Sequence, residues 1–304
     1  MNSHEVRKGS IFIITAYILW GFFPLYWAQL SDVSSIEIIA YRILFSFLMC
    51  FVYLVFKKEL SVFAVFKNGR ATLQILLISS LLFINWFTFI FAVTNNMVID
   101  AGMGYYLNPL VSILLGIIFL KEKLGKLQIA AFTLAAMGLI YYVIAMGVIP
   151  YITIILGTTF GLYGLFKKKS TLSGIHSMSV ETAILTPVSL LILFLISKDS
   201  SIALVSGHAK TVVFVILAGI VTLAPLILFA EATKRIPLVR VGFLQLIAPT
   251  MMLITGYIMG EEFSLNRIIS LAFIWGALVL YTISIIKGGI NDRENNKRLT
   301  TERG

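Results

Sequence analysis

Ten stretches of about twenty predominantly apolar residues, separated by short polar segments, dominate this 304-residue chain: 10–29, 36–56, 73–94, 99–120, 127–146, 149–166, 178–197, 211–231, 240–259 and 267–286. A run of this length spans the hydrocarbon of a bilayer as a helix, because only there does each backbone amide find its partner within its own segment. The expected fold is therefore an all-α integral membrane protein of ten transmembrane helices. Composition agrees, with 59% hydrophobic and 12% charged residues and a mean hydropathy of +0.96. Soluble domains carry about twice that charged fraction. The first run is too long for a signal-peptide core and lacks a small-residue cleavage pattern, so it reads as the first span.

The net charge is +10, and the placement of the basic residues decides what it means. They cluster between the apolar runs and form no stripe interleaved with polar readout groups, which excludes nucleic acid as a partner. With the N-terminus cytoplasmic, 20 of the 24 basic residues fall in inner segments, Lys198, Lys210 and Arg267 fall outside, and Arg42 lies within a span. That asymmetry is what the positive-inside rule requires of an even number of helices. It predicts a multi-pass protein of the plasma (inner) membrane, in contact with lipid, with both termini cytoplasmic. Cys50 is the single cysteine, so no intrachain disulfide and no cysteine metal cluster can form. No metal or cofactor is expected.

Shifting the sequence by 140 residues superposes Gly21 on Gly161, Ala92 on Ala232, Gly102 on Gly242, Pro109 on Pro249, Gly116 on Gly256, Glu122 on Glu262 and Tyr141 on Tyr281. The rarer Gly, Pro and Glu matches carry the weight. Each copy holds five spans, and an odd number inverts the second copy relative to the first. The expected units are 1–146, 147–288 and a charged cytoplasmic tail, 289–304. Inverted repeats are a recurrent transporter design, with the solute held near the midplane between the two copies.

The segments Ala16-Tyr17-Ile18-Leu19-Trp20-Gly21-Phe22-Phe23-Pro24, Glu37-Ile38-Ile39-Ala40-Tyr41-Arg42, Asn85-Trp86, Gly104-Tyr105-Tyr106-Leu107-Asn108-Pro109-Leu110, Gly242-Phe243-Leu244-Gln245-Leu246-Ile247-Ala248-Pro249-Thr250 and Phe273-Ile274-Trp275 resemble the RarD branch of the EamA transporters. The resemblance covers nearly the whole chain. It implies the drug/metabolite transporter superfamily and a five-plus-five inverted fold, its cavity lined by helices one to four and six to nine, with five and ten peripheral. Proteins of this branch are commonly named chloramphenicol-sensitive proteins or exporters, which implies small metabolites or drug-like solutes.

Polar groups inside hydrocarbon are costly and normally face a cavity or a partner. Arg42 is the clearest case: it is either a cavity cation for a carboxylate or polar substrate head, or one half of a structural ion pair. Glu37 lies about 140° away around the helix, which leaves Asp100 or a wet cavity to meet it. Glu37, Asp100, Glu181 and Glu231, at or within span ends, are candidates for exchanging a proton. Solvation or a helix N-terminus would account for them equally well.

Asn85, Trp86, Tyr105, Tyr106, Asn108 and Gln245 occupy mid-span positions, and Trp20 and Tyr163 present aromatic faces from the first helix of each half. All are candidate solute contacts; for each aromatic the plain alternative is packing. Pro109 and Pro249 free a carbonyl near Tyr105 and Gln245, and Pro24, Pro187 and Pro225 also interrupt spans, so all five are candidate hinges. Gly157 and Gly161, and Gly256 and Gly260, fit close helix packing.

The reading is a secondary active exporter working by alternating access, with a small-molecule substrate and a proton or other coupling ion. A passive channel or a membrane-embedded enzyme or scaffold is the rival. The histidines lie outside the spans, and Gly164-Leu165-Phe166-Lys167-Lys168-Lys169-Ser170 lacks the glycine that a phosphate loop places before its lysine. No oligomeric state follows from the sequence.

Overall fold

The computed structural model describes residues 3–30, 32–94, 98–147, 151–199, 202–258 and 265–301. Its helices are α1 (Ser3–Gly21), α2 (Phe23–Trp27), α3 (Ser35–Lys57), α4 (Gly69–Thr94), α5 (Val98–Leu120), α6 (Lys126–Met146), α7 (Tyr151–Lys169), α8 (Gly174–Asp199), α9 (Ala203–Ser206), α10 (Ala209–Arg235), α11 (Leu238–Gln245), α12 (Ile247–Ile258) and α13 (Leu265–Thr301). Short 3-10 turns cover Ala28–Leu30 and Leu60–Lys67.

The described residues of each expected span fall mainly on helix, and several helices outrun it where polar flanks add turns, as Lys167, Lys168 and Lys169 do for α7. Among the described residues, α3, α4, α6, α8, α10 and α13 are long and apolar enough to cross a membrane, and α1 with α2, bent by 41°, makes a seventh. The other expected spans are α5, α7 and the pair α11 and α12. The ninth is divided at Leu246, three residues before Pro249, which has no N–H to donate back to the Gln245 carbonyl. Pro109, its repeat mate, sits inside an uninterrupted α5, and Pro187 and Pro225 likewise lie within continuous α8 and α10. Pro24 occupies the first turn of α2, where a missing N–H costs nothing, just past the break at Phe22.

The packing is built from pairs: α1 with α10 and α12, α3 with α8 and α10, α4 with α7 and α8, α5 with α7 and α11, and α6 with α13. The backbone of α6 comes close only to α5 and α13 among the described helices, and that of α13 only to α6 and α11, so this couple lies at the periphery. The main core joins Tyr17, Ile43, Cys50, Leu82, Phe160, Tyr163 and Phe229 from five helices. Apolar side chains also cover the outside, including Phe56, Leu73, Ile118, Ile144 and Val279, all more than half exposed. An apolar exterior this extensive suits lipid rather than water.

Glycines set the closest approaches. A Cβ on Gly21 would stand 2.2 Å from Met251 Cβ, and one on Gly161 would stand 2.6 Å from Val111 Cγ1. One on Gly157 would meet Leu107 Cγ at 2.8 Å, so the Gly157 to Gly161 stripe seats α7 against α5.

Candidate functional site

Ser34 caps α3 by accepting from the Glu37 amide at 3.3 Å, and seven residues after the helix begins, about 10 Å along its axis, stands Arg42. Its side chain is 8% exposed. Three further elements converge on it. Thr222 of α10 accepts from Nε at 3.0 Å, and the guanidinium carbon lies 4.7 Å from the Trp27 ring of α2 and 4.6 Å from the Trp86 ring of α4. Tyr26 and Tyr105 are near enough to interact with its charge. No carboxylate among the described residues pairs with it. Glu37 is turned elsewhere: it accepts from Tyr41 Oη at 2.8 Å and from the Ala203 amide at 2.6 Å, tying α3 to the turn of α9. The side chain of Asp100 lies outside the described residues.

The other expected contacts divide into groups. Asn85 donates to the Leu156 carbonyl at 2.9 Å and to Thr159 Oγ1 at 3.0 Å, bracing α4 against α7. Trp20 and Tyr163 meet through shared neighbours, with Phe160 and Phe229 at 5.5 and 5.8 Å from the Trp20 ring and Phe229 stacked 6.0 Å from Tyr163. Tyr105 meets the Phe89 ring edge-on at 5.8 Å, while Tyr106 packs toward α6 and α13. Buried Gln245 accepts from Ser112 at 3.4 Å, and Asn108 Oδ1 is buried without a hydrogen-bond partner among the described residues.

A second charged site lies where α7 meets α8. Lys167 Nζ stands 2.5 Å from Glu181 Oε1 and 2.7 Å from Ser177 Oγ; Ser177 in turn donates to Glu181 at 2.5 Å, and Tyr163 Oη donates to its other oxygen at 3.3 Å. The two charged side chains are 0% and 1% exposed. Sequence reasoning counted Lys167 among the solvated inner charges; the structure removes it from solvent, because Glu181, fourteen residues on, reaches it across the α7–α8 turn.

Around the same end of the molecule, carboxylates cap helices, as their negative charge at an N-terminus favours. Glu122 accepts from the Leu238 and Val239 amides at 2.8 and 2.7 Å, opening α11. Glu231 accepts from the Gly174 amide, opening α8, and from Arg235. Lys168 donates to the Thr233 and Ile236 carbonyls at 3.1 and 2.6 Å, closing α10, with Glu122 3.8 Å away.

Sequence reasoning missed Trp27, Tyr26, Thr222, Lys167 and Ser177. Thr222 was findable as a hydroxyl inside an apolar span, and Trp27 follows Trp20 by seven residues, close to one helix face. Among the described residues no group of His, Cys, Asp and Glu is arranged to hold a metal.

Residues 7–144 match the model of the EamA-like transporter family. An uncharacterized transporter, YojE, of Bacillus subtilis (strain 168) is 41% identical over 94% of this chain and 97% of its own. Protein RarD of Escherichia coli (strain K12) is 33% identical over 94% of this chain and 97% of its own. A solved crystal structure shares the fold, with a TM-score of 0.70 at 17% identity, over 90% of this chain and 97% of that one. Relatives of this identity and coverage make the chain a multi-pass membrane transporter for a small molecule, a member of the EamA-like transporter family in its RarD branch.

Proposed function

We propose that the protein is a secondary active exporter of small organic solutes, built as ten spans in two inverted five-helix repeats (1–146 and 147–288) in the plasma membrane. Both termini and the tail 289–304 are cytoplasmic. One observation carries this reading: the helix packing exchanges with itself under the 140-residue shift. The shift turns α1 into α7, α3 into α8, α4 into α10, α5 into α11 with α12, and α6 into α13. The packing of α1 on α10 then becomes that of α7 on α4, and α5 on α7 becomes α12 on α1. The couples α3 with α8, α5 with α11 and α6 with α13 map onto themselves. The glycine approaches follow suit, since Gly21 against Met251 becomes Gly161 against Val111, residue for residue. A two-fold of this kind lets one bundle exist in two related forms opening to opposite sides, which is the basis of alternating access.

Among the acidic candidates, Glu181 is favoured for coupling to a proton because it is buried against an amine that could exchange with it. Glu37 and Glu231 are engaged by helix starts.

In a Cys50→Ser background, cysteines at Ser3 and Thr301 are expected to resist an impermeant maleimide in intact cells while Lys210→Cys reacts. Labelling of one terminus alone would end the ten-span reading. In proteoliposomes preloaded with members of a small-metabolite panel, an alternating-access carrier gives transient counterflow. Simple equilibration would indicate a pore, and consumption of solute an enzyme.

A further inference from the structure

We infer that Arg42 is the anion-recognition element of the solute site, and that the solute it takes is a small organic monocarboxylate with a flat, weakly polar body. This deepens, and rests on, the transporter reading above. A guanidinium 8% exposed, about 10 Å into a membrane helix, needs compensation for its lost hydration. Buried arginines in proteins normally obtain it from a carboxylate. Fully buried Lys167 has Glu181, and the partly buried Arg235 has Glu231 and Glu5. Among the described residues Arg42 has one hydroxyl at Nε and two indole rings.

What those partners leave open defines the ligand. Indole rings attract the cation through its faces, and Thr222 occupies one of its five N–H donors. The two terminal nitrogens make no hydrogen bond to a described residue. They form a planar fork of fixed spacing, which a carboxylate matches with two parallel bonds. A halide matches it with one contact, and a neutral amide brings no charge. The surroundings specify the remainder of the molecule. The Trp27 and Trp86 rings stand 4.7 and 4.6 Å from the cation, Tyr26 and Tyr105 lie near enough to interact with its charge, and the Tyr26 hydroxyl is already spent on the Phe214 carbonyl. The lining therefore offers flat apolar surface and few spare donors, which suits a planar body rather than a sugar or a polyol.

The four elements that meet here also explain how binding could be sided. Trp27 is carried by α2, beyond the 41° bend after α1, whereas Arg42, Trp86 and Thr222 are carried by α3, α4 and α10. A change of angle at Phe22 would open or close one wall of the cage without moving the other three.

The test uses purified full-length protein with benzoate as the probe, and benzamide, chloride and inorganic phosphate as controls. Binding is read by thermal shift and by quenching of tryptophan fluorescence. Benzoate is expected to stabilise the protein and quench saturably, with benzamide, chloride and phosphate at least tenfold weaker. Arg42→Lys should weaken benzoate roughly 10- to 100-fold, the loss of a charge-assisted bidentate pair. Trp27→Phe and Trp86→Phe should each remove part of the quench, a signature that a purely structural arginine would not produce. If Arg42→Lys does not fold, Thr222→Val, which frees Nε but keeps the charge, should change benzoate affinity while leaving the anion preference intact. Equal binding of benzoate and benzamide, no binding of either, or equal binding of chloride or phosphate overturns the inference. Saturable benzoate binding without benzoate counterflow in proteoliposomes would instead retire the transporter reading and leave the site. Counterflow of a neutral solute without benzoate binding would do the reverse.

Discussion

Replacing Glu181 with glutamine should destabilise the protein strongly, and by an amount that shrinks as the pH rises. Glu181 and Lys167 are essentially without solvent, 2.5 Å apart. Removing one partner from a buried pair typically costs about 3–5 kcal/mol, because an unpaired charge remains. The structure sets an upper bound here. With the carboxylate gone, the Lys167 ammonium keeps Ser177 Oγ at 2.7 Å and the Met178 sulfur at 3.7 Å, and it can escape the penalty by losing its proton. Deprotonating an ordinary lysine of pKa about 10.4 at pH 7 costs about 4.6 kcal/mol, at about 1.36 kcal/mol per pH unit. At pH 8.5 the same step costs about 2.6 kcal/mol. The sign follows from linkage: in the variant the unfolded state binds the lysine proton and the folded state does not, so stability rises with pH up to the unfolded pKa. Unfolding by SDS in mixed micelles at pH 7 and pH 8.5, with wild type measured alongside, reads the difference. Lys167→Met with Glu181→Leu should recover most of the loss, since an apolar pair of similar volume is often as stable as the ions. An E181Q deficit that does not change with pH, or a double variant no better than either single one, would refute the reasoning.

Glu122→Ala should cost about 1–2 kcal/mol, because two amides at the start of α11 lose their acceptor; glutamine, which keeps an acceptor oxygen, should recover part of it, measured by the same unfolding. Gly161→Ala places a methyl 2.6 Å from Val111 Cγ1 and should cost about 1–3 kcal/mol by overpacking. Val111→Ala in combination should relieve it, and failure of that rescue would mean that α5 and α7 do not meet there.

The apolar runs announced the helices, since a run near twenty residues has no other way to satisfy its backbone in lipid. Arg42 likewise stood out as a lone cation within a span. What surrounds Arg42 was not legible. Thr222 is 180 residues away, and Trp86 and Trp27 arrive on separate helices, so the cage exists only once α2, α3, α4 and α10 are packed. Periodicity reports which face of a helix is apolar and is silent on which helix that face will meet. Lys167 makes the same point in reverse. As the first of three lysines after an apolar run it carries the mark of a solvated inner loop, and its burial was decided by Ser177 and Glu181 of α8, which reach it with their side chains. Charge counting along the chain places basic residues on a side of the membrane. Only the tertiary structure assigns each to water, to a carboxylate or to an empty fork, because that assignment depends on distances between segments whose separation in sequence carries no geometric information.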